Sequence, residues 1–236
     1  HLRFQTEAGK PIQFIDPSQN WTVHHLDVSA ANDPWQAAQA WMQQDLGQTV
    51  DLSLGPLFSQ ALIRLASDRY FWYQRIHHIA MDGYGFSLLA RRVAEIYTAL
   101  NVGQCPTFSP FTSLHGVLEE DRAYHRSDQI SLDRNYWLSH LADAPEPVSL
   151  SERTALAGTT CLRCTNYLSP TQVERLKSTA HQLGVSWADF IVAAIAGYLH
   201  LTTGATGLIF GLPVMGRLGS AALRVPTMVM NIVPLY

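Results

Sequence analysis

Alternating apolar and polar positions at the start of the chain predict a β-hairpin. The alternation runs from Leu2 to Ile15 on both sides of a turn-forming stretch at residues 7–10. A short strand is predicted at residues 25–28. Asp33 followed by Pro34 then predicts a helix start, with Asp33 as the N-cap. The buried face of this helix is expected at helical spacing, on Trp35, Ala38, Met42 and Leu46.

The middle of the chain predicts a strand pair followed by a helix. Residues 61–65 form one predicted strand, and a tight connection at residues 67–69 leads into a second strand that carries the two histidines. These two strands should pair antiparallel. A helix is predicted to begin after Gly83 and to end before Gly103. Its apolar positions at helical spacing are Phe86, Leu89, Val93, Ile96, Tyr97 and Leu100.

The second half of the chain shows mixed elements without strict strand–helix alternation, which indicates an α+β fold. The segment 142–158 contains two prolines and little periodicity, so it predicts an inter-lobe linker. We therefore expect a first lobe at residues 1–145, a linker at 146–158 and the beginning of a second lobe at 159–236. The remaining predicted elements are two polar helices at 114–125 and 130–141, helices capped by Ser169 and Ser186, and strands at 208–210 and at the chain end.

Composition and charge exclude several classes of function. The 236 residues are 47% hydrophobic and 15% charged, with a formal net charge of −3, which is typical of a globular protein. The sixteen Lys and Arg form no basic stripe, so nucleic acid is not an expected partner. No apolar run reaches the length of a membrane span, and no membrane partner is expected. A chain that begins at His1 and stops inside an apolar run is expected to be a fragment of a longer protein.

The three cysteines are too few for a disulfide framework. Cys161 and Cys164 form a CxxC on a predicted strand, with no second Cys or His pair to complete a metal site. Residues three apart on a strand face opposite sides. Structural thiols in a reducing, cytoplasmic location are therefore expected.

The strongest candidate chemistry lies where the histidine-bearing strand ends. His77 and His78 are adjacent, Asp82 follows four residues after the second, and Gly83 comes next. Neighbours on a strand point to opposite faces, so one histidine can enter a cleft while the other packs behind it. A neutral imidazole can accept a proton near neutral pH. Structural histidines remain an alternative, whereas adjacent histidines on a strand diverge and are poor joint metal ligands.

Asp82 and Gly83 have simpler interpretations from the residues alone. Asp82 could orient a histidine, or it could pair with an arginine and hold the turn in shape. Gly83 leaves no side chain to block a substrate, and its backbone bends freely. The residues by themselves do not choose between these roles.

Six short motifs, in order, give this chain a family resemblance. They are HHxxxDG at residues 77–83, the tail of an LRTxF motif at 2–4, DLxxGPL at 51–57, YWxxxL with a following proline at 136–145, GxPxxGR at 211–217, and VMNIVPL at 229–235, which is similar to FVNTLPL. With these motifs the chain resembles the condensation domain of nonribosomal peptide synthetases over nearly its whole length. The stretches around residues 72–87 and 217–223 are most similar to siderophore-type members of that family.

The resemblance implies a fold and an activity. The expected fold is a chloramphenicol-acetyltransferase-like pair of lobes in a V, present only in part in this chain. The expected reaction is amide formation between a donor acyl or aminoacyl thioester and the amine of an acceptor aminoacyl thioester. Upstream donor and downstream acceptor carrier domains are the expected partners, with an adenylation domain in the same polypeptide. Both substrates arrive on 4'-phosphopantetheine arms, and the domain itself is expected to bind no cofactor or metal.

The resemblance also implies roles for individual residues. His78 matches the histidine that accepts the amine proton or positions the amine, and His77 is expected to be structural. Asp82 matches an aspartate that pairs with an arginine, and Gly83 borders the tunnel, where its N–H is a candidate oxyanion donor. Two further matches near the substrate tunnel are Arg217 and Asn231.

One position departs from the family pattern. The LRTxF arginine, a candidate partner for Asp82, would fall at His1. If His1 is a true substitution, Asp82 needs another partner.

Three alternative functions stay open from the sequence. Epimerization domains share HHxxxDG, although they typically carry an EGHGRE-like segment where this chain has PVMGR at residues 213–217. A non-catalytic module that only docks carrier proteins is a second alternative. A free-standing acyltransferase that uses coenzyme A is the third.

Overall fold

A computed structural model describes residues 2–18, 20–106, 108–151 and 163–236. Within these ranges the strands are β1 (Leu2–Glu7), β2 (Lys10–Ile15), β3 (His24–Asp27), β4 (Phe58–Ala66), β5 (Arg69–Ile76), β6 (Phe210–Val214) and β7 (Asn231–Leu235). The helices are α1 (Pro34–Leu46), α2 (Gly83–Asn101), α3 (Leu114–Arg126), α4 (Gln129–His140), α5 (Pro170–Gln182) and α6 (Trp187–Thr203). A short 3-10 helix spans Ala221–Arg224. This mixture confirms the α+β prediction.

The predicted N-terminal hairpin is confirmed. β1 and β2 pair antiparallel, with Leu2 opposite Ile15 and Glu7 opposite Lys10. The turn between them has positive φ at Ala8 and Gly9, and a glycine adopts that conformation without steric cost.

A three-stranded sheet carries the chain toward the histidines. Its order is β3-β4-β5, with β3 parallel to β4 and β4 antiparallel to β5, which confirms the predicted strand pair. Alternate residues of β4 point to one face and are buried there: Ala61, Ile63 and Leu65. Ala38 of α1 packs against this face and completes a small core.

The predicted buried face of α1 is only partly correct. Asp33 caps the helix as expected, because its carboxylate accepts the N–H of Gln36. Trp35 and Leu46, however, are 54% and 68% exposed. Asp45 takes an inward position instead, because Arg75 and Tyr73 of β5 bind its carboxylate.

Serine caps place the two helices of the later part of the chain as predicted. Ser169 and Gln172 form a capping box at the start of α5, and Ser186 caps α6. α6 is apolar, yet none of its residues is fully buried. No single described helix is long and apolar enough to cross a membrane; α5 and α6, bent by 94°, meet the length and composition criteria only as a pair.

The described chain divides into two compact units. One holds residues 1–123 with 215–231, and the other holds 124–214 with 232–236. These bounds differ from the expected lobes, because residues 215–231 pack with the N-terminal elements. Most of the predicted linker, together with Cys161, lies outside the described residues. Cys164 is exposed in an irregular segment, so the described part of the CxxC region is not the predicted strand.

Candidate active site

The two histidines lie in a turn that follows β5, and not within the strand as predicted. The strand ends at Ile76, and α2 begins at Gly83. The His77 N–H donates to the Leu57 carbonyl at 2.7 Å, which extends the pairing with the chain before β4 by one bond. The turn then closes when the Ala80 N–H donates to the His77 carbonyl at 2.9 Å. Two backbone hydrogen bonds therefore fix His77, the residue just before His78.

The two imidazoles differ in their surroundings. His77 Nδ1 accepts the N–H of Ile79 at 3.2 Å, so a neutral His77 ring carries its proton on Nε2. The His78 side chain is exposed, and within the described ranges its ring has no hydrogen-bond partner. His77 is thus engaged in the turn, whereas His78 is open to a ligand.

Asp82 closes the turn from inside. It is 3% exposed and caps α2, because its Oδ1 accepts the N–H of Gly85 at 2.8 Å. Its Oδ2 accepts the N–H groups of Val229 and Met230, both at 3.0 Å. One carboxylate therefore joins the start of α2 to a segment almost 150 residues later in the chain.

Arg217 also binds the Asp82 carboxylate. We call Asp82, Arg217 and the backbone groups bound to them the anchor. Its Nη2 lies 2.8 Å from both carboxylate oxygens of Asp82 and 2.6 Å from the Thr227 carbonyl oxygen. Its Nη1 donates to the carbonyls of Ala222 and Val225, and the guanidinium lies 4.8 Å from the centre of the Tyr84 ring. The side chain has no exposed surface.

This environment corrects the prediction that Arg217 lines a substrate tunnel. A guanidinium enclosed by Asp82 and by backbone carbonyls cannot contact a substrate. It is instead the arginine partner that Asp82 was expected to have. His1, where the family pattern would place an arginine, lies outside the described residues.

The Asp82 carboxyl is held in its charged form. Burial by itself raises its pKa, but hydrogen bonds from the Gly85 and Val229 N–H groups and from Arg217 outweigh that effect. The net result is a pKa below the ordinary value of 3.8. An aspartate that accepts hydrogen bonds from four nitrogen donors and has a lowered pKa is a poor proton acceptor at neutral pH.

Gly83 and Gly85, in the first turn of α2, have different surroundings. Gly83 is exposed, and a Cβ added there would meet nothing within 4 Å. A Cβ at Gly85 would lie 2.9 Å from the Met81 Cγ and from the Thr227 carbonyl oxygen. Sequence reasoning did not identify Gly85, although the spacing Asp-Gly-Tyr-Gly could have suggested a second close approach of backbones.

Asn231 begins β7 and directly follows Met230, whose N–H binds Asp82. Its side chain is exposed. The assignment of Asn231 to a substrate tunnel stays a prediction.

A cavity of about 570 Å³ in the N-terminal unit is not lined by the histidines. It approaches the turn at Ala80 and Met81. Its walls are almost entirely apolar, with Gln60 and Thr227 as the polar residues. In the part of the chain that the structure describes, no group of three His, Cys, Asp or Glu side chains is arranged to hold a metal ion.

An exposed histidine on a braced turn defines a site that can move a proton or orient an amine. The condensation-domain family model matches residues 1–236, and the chain belongs to that family. Condensation domains are the amide-forming acyltransferases of nonribosomal peptide synthetases. The resemblance given by the motifs is thereby confirmed.

Three nonribosomal peptide synthetases are similar to this chain. The dimodular nonribosomal peptide synthase of Bacillus subtilis (strain 168) is 48% identical over 235 residues, which are 100% of this chain and 10% of that protein. The isonitrile lipopeptide synthase of Streptomyces coeruleorubidus is 46% identical over 229 residues, 97% of this chain and 16% of that protein. Enterobactin synthase component F of Escherichia coli O157:H7 is 34% identical over 241 residues, 99% of this chain and 18% of that protein.

Solved condensation domains share the fold. A variant of the starter condensation domain of rhizomide synthetase in complex with C8-CoA is 41% identical, with a TM-score of 0.88, over 99% of this chain and 53% of that one. The first condensation domain of the calcium-dependent antibiotic synthetase, in complex with a substrate analogue, is 34% identical with a TM-score of 0.86, over 99% of this chain and 56% of that one. The chain thus spans about half the length of these solved domains.

Two glycines offer a matched test of the anchor. We expect Gly85→Ala to lower the free energy of unfolding by about 1–3 kcal/mol, because the new methyl group would overlap the Thr227 backbone. Gly83→Ala is the control, since its methyl group would enter open space, and we expect a change within about 1 kcal/mol. Denaturant titration followed by tryptophan fluorescence measures both. Equal stability of the two variants would contradict the close approach of Gly85 and Thr227.

The contribution of Asp82 to stability should depend on pH. Its folded pKa lies below 3.8, so the contribution is complete above the unfolded pKa and is lost as the pH falls through the folded value. The difference in unfolding free energy between wild type and Asp82→Asn should therefore be constant from about pH 7 to about pH 5 and shrink below about pH 4. Denaturant titrations across this range measure it. A difference that grows on acidification would show that Asp82 is not held as a carboxylate.

Proposed function

We propose that the protein containing this chain forms an amide bond between two carrier-bound thioesters, with His78 at the reaction centre. The observation that carries this proposal is the contrast at the turn: His78 is exposed and its ring has no described hydrogen bond, while His77 Nδ1 and the Asp82 carboxylate are both bound. Membership in the condensation-domain family supplies the reaction class.

The bond changes define what the site must do. The acceptor amine attacks the carbonyl carbon of the donor thioester, the C–N bond forms, and the C–S bond breaks to release the phosphopantetheine thiol. The amine must lose a proton, and in this proposal the imidazole of His78 accepts it or orients the amine by a hydrogen bond. Amines attack thioesters readily, so orientation can supply a large share of the rate.

Gly83 is the proposed donor to the oxyanion. It is the first residue of the 19-residue helix α2, where backbone N–H groups have no partner within the helix. The partial positive charge of a helix N-terminus favours a developing negative charge. Gly83 is an exposed residue that directly follows Asp82, whereas the Gly85 N–H is already bound to the Asp82 carboxylate.

The proposal includes the partners and the way in which substrates arrive. Donor and acceptor carrier domains would deliver the substrates on phosphopantetheine, upstream and downstream respectively, and an adenylation domain in the same polypeptide would load a carrier. A cytoplasmic location fits this chemistry. The similarity to enterobactin synthase component F supports a siderophore-type product with an aryl or acyl donor.

A donor bound to coenzyme A is the second candidate function. Its support is the starter condensation domain of rhizomide synthetase, which was solved in complex with C8-CoA. In that case the amide would form in the same way, but the donor would need no carrier domain. The remaining alternative functions are an epimerization domain and a non-catalytic docking module, and the reconstitution assay tests both.

A reconstitution assay tests the proposal. In the intact protein with loaded donor and acceptor carriers, we expect His78→Ala to lower amide formation about 10²–10⁴-fold, measured by mass spectrometry. His25→Ala, which removes an exposed histidine of β3, is the matched control and should keep the wild-type rate.

Each other outcome of this assay identifies a different function. A wild-type rate in His78→Ala would overturn the assignment of His78. An epimerised acceptor without amide would indicate an epimerization domain. Turnover of an acyl-coenzyme A without a donor carrier would favour the coenzyme A-dependent enzyme, and no turnover of any donor would indicate a docking module.

A further inference from the structure

A second carboxylate–arginine pair lies on the strand that leads to the histidines. Asp45, in the last turn of α1, is 7% exposed. Arg75 binds it with two nitrogens, Nε to Oδ2 at 2.6 Å and Nη2 to Oδ1 at 3.2 Å. The hydroxyl of Tyr73 donates to the same Oδ2 at 2.8 Å. Such a planar two-point contact fixes the direction of the arginine side chain as well as its charge.

The position of this pair along the chain connects it to the turn. Arg75 is the next-to-last residue of β5 and lies two residues before His77. In the described sheet β5 is an edge strand, so β4 restrains it from one side. The contact with α1 supplies a second restraint, perpendicular to the sheet, near the point where the strand ends.

The histidine turn is thus held at both ends by ion pairs, one partly buried and one fully buried. Asp45 and Arg75 hold the end of the incoming strand, and Asp82 and Arg217 hold the start of the outgoing helix. Between them, His78 has an exposed side chain without a described hydrogen bond. Its location therefore depends on the backbone, which these two ion pairs restrain in addition to the hydrogen bonds of His77 and Ala80.

We propose that Asp45 is a positioning residue for the reaction, which acts through Arg75 and β5 to keep His78 in place. The inference rests on the proposed role of His78. A displacement of about 1 Å in a reacting group can cost up to about 100-fold in rate, so loss of this restraint should lower the rate without removing any chemical group. Neither Asp45 nor Arg75 contacts the substrate in this account.

A double-mutant cycle separates positioning from a general structural role. In the intact protein, Asp45→Asn should lower kcat for amide formation about tenfold, with KM for the loaded carriers changed less than about twofold. In the His78→Ala background, the same change should lower the residual rate less than about twofold, because the group being positioned is gone.

Asp27→Asn provides the matched control. It removes another carboxylate–arginine pair of the same sheet, Asp27 of β3 with Arg64 of β4 at 3.0 Å, which is exposed to solvent and does not involve β5. Asp27→Asn should leave the rate of amide formation unchanged, both in the wild-type protein and in His78→Ala. Arg75→Lys, which keeps the charge but loses the planar pair of donors, provides the same cycle if Asp45→Asn does not fold.

The outcomes distinguish this inference from the proposed function. Equal loss of rate in both backgrounds, or no loss in either, would overturn the positioning role while His78 keeps its own. A wild-type rate in His78→Ala alone would overturn the proposed function, and this inference with it.

Discussion

The buried ion pair between Asp82 and Arg217 is the interaction on which the site depends. Taking two charges out of water costs several kcal/mol per ion, and only good geometry with further hydrogen bonds offsets that cost. Here three backbone N–H groups also bind the carboxylate, and three carbonyls bind the guanidinium. Removal of one partner would leave the other as an unpaired buried charge and would lower the free energy of unfolding by about 3–5 kcal/mol. The pair thereby attaches the histidine turn to the segment 215–231, which lies far away in sequence.

Residues of one motif consequently have separate tasks. His77 engages the turn through its backbone and Nδ1, and Asp82 caps α2 and receives Arg217. His78 remains with an open ring. The acidic residue next to the histidines is therefore a structural anion, and the proposed proton acceptor is the imidazole of His78. A rigid support around one accessible group is what orientation of an amine requires.

Local chemistry in the sequence was sufficient to predict most elements. Asp33 with Pro34, Ser169 and Ser186 marked helix starts, because capping depends on neighbouring residues alone. Contacts between distant residues were not predictable in this way. The burial of Asp45 follows from Arg75, 30 residues later, and apolar spacing had placed Leu46 inside instead. The motif resemblance assigns Arg217 to a tunnel, and its contact with Asp82, 135 residues earlier, is not evident from the sequence. β5 ends before His77 because the chain turns there, with the Ala80 N–H bound to the His77 carbonyl.

A structure of the intact protein with stable analogues of both thioesters bound would show directly which group contacts the acceptor amine. We expect the amine to lie about 2.6–3.2 Å from a ring nitrogen of His78, while Asp82 stays bound to Arg217. An amine held by Asp82, or one bound for reaction with the His78 ring turned away from it, would contradict these roles of His78 and Asp82.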